Sequence, residues 1–169
     1  MLVLTIAVFL LVNLVYSIFG RKQGLAQNIP ATNSAVNLLI GIDKQHKQAA
    51  LPALLVQIKS AKTKPQLPGV DINVEQVDFS ALPIREQVLV LQKERLIMLN
   101  VCGGASLIGI FMPRGSAALL LCDEIGLYDW PLWNNLAHVR TFWFAEGLEQ
   151  STMPAFMHLL ASAVTAVLQ

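Results

Sequence analysis

From Leu2 to Phe19 every side chain is uncharged, and only Thr5, Asn13 and Ser17 interrupt the apolar run. A helix rises about 1.5 Å per residue, so a stretch of this length matches a hydrocarbon layer of about 30 Å. Arg21 and Lys22 follow directly, where they would meet lipid headgroups. The run reads as an uncleaved membrane anchor over residues 1–20. A secretory leader is the rival reading. It would need a basic residue before the apolar run and a small-x-small cleavage site after it. No Lys or Arg precedes the run, and the small pair Gly24 and Ala26 lies beyond the basic residues. Arg21, Lys22, Lys44 and Lys47 all follow the span, which by the positive-inside rule leaves the N-terminus outside and the remaining chain cytoplasmic. The expectation is a single-pass protein of a cell inner membrane, embedded through residues 1–19.

Of the 169 residues, 54% are hydrophobic and 14% charged, against about 25% charged in an ordinary soluble domain. The anchor alone does not account for this deficit. The rest of the chain is expected to be covered by a partner, by a second copy in a homo-oligomer, or by the membrane surface. A net charge of +1 with no basic stripe excludes a nucleic-acid partner. In a cytoplasmic domain Cys102 and Cys122 are expected to be reduced, buried and apolar in behaviour, a disulfide following only if the orientation is reversed. The histidines at positions 46, 138 and 158 fit no zinc spacing, so no metal and no cofactor is expected.

Residues 21–68 read as a linker with amphipathic helices. Val36, Leu39 and Ile40 form one apolar stripe, Pro52 breaks that helix, and Leu51, Leu54, Leu55 and Ile58 make the stripe of a second. Pro65, Pro68 and Gly69 mark a break, so the folded domain is placed at 69–169. Val70, Ile72 and Val74 alternate with polar residues as a half-buried strand does. Ile84, Val88 and Leu91 suit a short helix, although 88–91 and 96–101 also read as two strands about a turn at Gln92–Arg95. The run 96–101 is the firmer strand and fits a central position covered on both faces. Residues 96–113 carry no charge, but their glycines, Asn100 and Pro113 argue against a second span. A helix is expected over Ala117–Ile125, capped by Ser116 and closed by Gly126. A strand is expected over Thr141–Ala145, with a buried closing helix over Pro154–Leu168. The fold class expected is α+β, a mainly antiparallel sheet with packed helices behind the anchor.

No phosphate-binding loop, dinucleotide fingerprint or nucleophile elbow is present, and the glycines around Ser106 have the wrong spacing. Asp129 and His138 are a conceivable pair, but no nucleophile is placed beside them. An enzyme is therefore the least favoured class. Tyr128, Trp130, Trp133 and Trp143 crowd into a short stretch, and tryptophan is the residue most enriched in binding hot spots. They are the candidate partner-binding residues.

The anchor with its orientation, the strand Leu96–Val101 ending in Asn-Val, the expected helix Ala117–Ile125, and the segments Thr141–Phe144 and Phe156–Ala163 together resemble the ZipA family of cell-division proteins. The chain departs from that family in lacking a long Pro/Gln-rich linker. The resemblance implies a tether that binds the tail of the tubulin-like division protein on an apolar sheet face. The function expected is thus a membrane-anchored, non-enzymatic scaffold for a protein partner. The alternative is a small structural subunit of a larger membrane complex.

Overall fold

The computed structural model describes residues 35–41, 54–56, 58, 70–101, 104–122, 129–146 and 151–169, all within one unit, Asn33–Gln169. Five strands form a single sheet: β1 (Ala35–Gly41), β2 (Asp71–Val77), β3 (Leu96–Val101), β4 (Ser116–Leu121) and β5 (Val139–Phe144). Their order is β2-β1-β3-β4-β5, and every neighbouring pair is parallel. Helices α1 (Ile84–Leu91), α2 (Asp129–Asn134) and α3 (Met153–Leu168) accompany the sheet, with a short 3-10 turn at Phe79–Ala81 and the longer 3-10 helix at Gly104–Phe111, called the 3-10 helix below.

The strand order dictates where the connections run. Crossovers between parallel strands keep one hand. The connection from β1 to β2 steps one way along the sheet, and the other three step the opposite way. One hand therefore puts the first connection on one face and the rest on the other. Leu54 and Ile58, from the first connection, share a core with α3 and with Val36, Leu38, Ile97, Leu99, Ala117, Leu119 and Phe144 of the sheet. On the opposite face a Cβ added to Gly109 of the 3-10 helix would strike both Met98 of β3 and Trp133 of α2. The result is a doubly wound sheet covered on both sides.

This arrangement corrects the expected antiparallel sheet. The segment at Gln92–Arg95 is no hairpin turn but a helix-to-strand loop, with Arg95 at φ 49° and its carbonyl accepting from the Asn37 backbone N–H at 3.1 Å. The covered faces also supply a source for the low charge content, because strands buried on both sides need apolar residues at every position. All of β4 is buried, and Leu96–Asn100 of β3 likewise. The expected helix at Ala117–Ile125 is a strand through Leu121. Alanine and leucine favour helices by only tenths of a kcal/mol, which burial between two layers overrides. The stretch at Val36–Ile40, read as helical linker, is β1, an inner strand between β2 and β3. The domain therefore takes in residues placed in the linker.

The strand at β2, helix α1, strand β3, the strand at β5 and the closing helix are found where expected. In α3 the buried positions Phe156, Leu160, Ala163, Val164 and Val167 form one stripe, and Phe156 meets Phe144 edge-on with ring centres 5.5 Å apart. The Arg140 guanidinium donates to the Ala166 carbonyl at 3.1 Å, closing the carbonyl end of α3. The 3-10 geometry at Gly104–Phe111 follows from reach. It spans eight residues, about 16 Å at 2.0 Å per residue, against about 12 Å as an α-helix. A six-residue strand spans roughly 20 Å, and a short crossover must return that distance.

The membrane reading is corrected too. Residues 1–20 lie outside the described residues, and among those described no helix is long and apolar enough to cross a membrane. The single-pass topology, the inner-membrane location and the tether built on them are not carried forward.

Candidate functional site

The four aromatic candidates do not share one surface. Trp133 is 1% exposed, wedged beneath the 3-10 helix where a Cβ on Gly109 would lie 2.2 Å from its ring. Its indole Nε1 is buried with no hydrogen-bond partner, while its carbonyl accepts from Thr141 Oγ1 at 3.3 Å. Trp143 is partly buried in β5, in register with Leu120. Tyr128 lies outside the described residues. Trp130, in contrast, is 56% exposed on the first turn of α2.

Trp130 has apolar company on the same side of the sheet. Five large hydrophobic side chains are exposed among the described residues: Val56, Ile84, Leu89, Leu107 and Trp130. Four of them sit on α1, the 3-10 helix and α2, the crossovers of one layer. Here α1 packs on the 3-10 helix, which packs in turn on Trp133 of α2. The outer positions of α3, on the other face, are Pro154, Ala155, His158 and Thr165, small or polar. Four of the five thus lie on one layer, while Val56 belongs to the β1-to-β2 connection on the α3 side.

A second feature arises at the sheet's carboxyl edge, where the strand order reverses about β1. Ligands of doubly wound sheets bind at such a switch point. Asn100, at the end of β3, is 2% exposed. Its Oδ1 accepts from the Val101 backbone N–H at 2.9 Å, and its Nδ2 has no partner. The amide lies over Gly41, where a Cβ would come within 2.8 Å of Oδ1. Glycine at the end of β1 is thus what makes room for the amide.

A separate cleft of about 90 Å³ lies on β1 and β2, lined in part by Asn37, Asn73, Glu75 and Lys93. Its polar groups largely satisfy each other: Lys93 pairs with Glu75, and Asn37 Nδ2 donates to the Glu94 carbonyl at 2.8 Å. The space is large enough for a few waters only.

His138 precedes β5 with its pKa held below the usual 6.5, because burial disfavours the imidazolium and Arg114 repels it, outweighing a hydrogen bond to the Ile110 backbone. The side chain of Asp129, its conceivable partner, is outside the described residues. Among the described residues no three His, Cys, Asp or Glu side chains are grouped to hold a metal.

The cysteine expectation is overturned: Cys122 is disulfide-bonded. Sequence reasoning missed both the Asn100 amide and the glycine beneath it. Neither carries a motif, and only the strand order brings them together.

Compared with known proteins, the chain matches no family model, no curated protein and no solved structure. Nothing among these comparisons links it to the ZipA family.

Proposed function

We propose that this domain is a protein-binding module, without a catalytic step of its own, whose partner docks on the outer surface of α1, the 3-10 helix and α2. The observation that supports this reading is the exposure of Trp130, 56% open to solvent on a layer that also exposes Leu107, Ile84 and Leu89. A ring of this size gains its full burial energy only when another surface removes the water from it. Its neighbour Trp133, 1% exposed beside Gly109 of the 3-10 helix, is left out of the proposed surface.

The test is Trp130→Ala in the full chain. Binding of the partner should weaken by about 2 kcal/mol or more, roughly thirtyfold. Unfolding stability should change by no more than about 0.5 kcal/mol, since truncating an exposed ring leaves no cavity. Unchanged binding, or a large loss of stability, would count against the proposal.

A further inference from the structure

Cys122 directly follows β4, and its backbone N–H donates to the Phe144 carbonyl at 3.0 Å. The strand pairing beside it ends at Val101↔Leu121. Cys122 is 4% exposed and disulfide-bonded, and Cys102, the residue after Val101, is the one other cysteine in the sequence. With two cysteines in the sequence and none free among the described residues, the bond pairs Cys122 with Cys102. It closes the β3-to-β4 crossover, whose helical part is 3-10 and so has poorer hydrogen-bond geometry than an α-helix.

We infer that the domain acquires its fold in an oxidising compartment, where this bond acts as a buried structural clamp on the carboxyl edge. Disulfides persist where thiols are not continuously reduced, and a half-cystine this well covered is shielded from exchange. Its formation is a two-electron step. The two thiols lose two protons and two electrons as the S–S bond forms, and a disulfide-carrying oxidant is reduced to a dithiol. The inference concerns the bond alone and does not depend on the docking surface proposed above.

The experiment uses the full chain in the cells that make it. Iodoacetamide is added at lysis in denaturant, and the intact mass is read before and after reduction. Neither cysteine should carry a carbamidomethyl group at first, and both should become reactive after reduction. Direct alkylation of both at lysis would overturn the inference. The purified chain is then unfolded in urea with and without tris(2-carboxyethyl)phosphine. The midpoint should fall when the reductant is present, and an unchanged midpoint would overturn the clamp.

Discussion

Gly109 and Trp133 occupy one site between them: a Cβ on the glycine would lie 2.2 Å from the indole, and the Met98 Cε would be 2.9 Å away. The 3-10 helix can approach the sheet only because position 109 has no side chain. Trp133 in turn is 1% exposed because that approach covers it. Gly109→Ala should therefore destabilise the domain by about 1–3 kcal/mol through overpacking, as neither the rigid ring nor the buried Met98 has room to yield. Trp133→Ala should cost about 3–5 kcal/mol by opening a cavity. Urea unfolding of both variants checks the pair, and a Gly109→Ala protein as stable as the parent would refute the contact.

Gly41 and Asn100 offer an analogous test with opposite arithmetic. Alanine at position 41 would place a Cβ within 2.8 Å of the Asn100 Oδ1, so the single variant should be destabilised. Asn100→Ala should also cost stability, since it removes the acceptor for the Val101 N–H. Shortening Asn100 removes the collision, however, so the double variant should be less destabilised than the sum of the two. A coupling of about 0.5 kcal/mol or more is expected from contacting residues. Simple additivity would mean that the amide does not lie over the glycine.

Acid should weaken the domain through His138. In the unfolded chain this side chain takes up a proton near pH 6.5, while burial and Arg114 keep its folded-state pKa lower. Between those two values the unfolded state binds more protons, so stability falls as the pH is lowered through that window. Above the window His138 contributes no slope. His138→Gln should flatten this part of a stability–pH curve recorded by urea unfolding. An unaltered slope would place the sensitivity elsewhere.

The sequence made some elements legible and hid others for a physical reason. The edge strand β2 has one polar face, and its alternating residues, buried at Ile72 and exposed at Asp71, Asn73 and Glu75, announce a strand. The closing helix is equally plain because its buried stripe has helical spacing. In contrast, β1 and β4 are covered on both sides, so they show no two-residue alternation. Val36, Leu39 and Ile40 then mimic a helical stripe, and Ala117–Leu121 has the composition of a helix. Misreading these two strands removed the parallel pairing from view and left an antiparallel sheet as the natural guess.

The candidate site was legible only in part. Trp130 and Trp133 are indistinguishable by composition and lie on the same six-residue helix. What separates them is Gly109, a residue distant in sequence whose missing side chain opens the space that Trp133 fills. The switch point at Gly41 and Asn100 depends on strand order, which no local pattern encodes.

Photo-crosslinking from position 130 tests the proposed binding role most directly. Benzoylphenylalanine keeps a large aromatic group there, and the same residue at Thr165, exposed on the outer side of α3, serves as the control. In the full chain, illuminated inside the cells that make it, position 130 should give a discrete adduct with one protein, while position 165 should not. Equal, diffuse adducts from both positions, or none from position 130, would contradict the assignment of the α1, 3-10 and α2 layer as a docking surface.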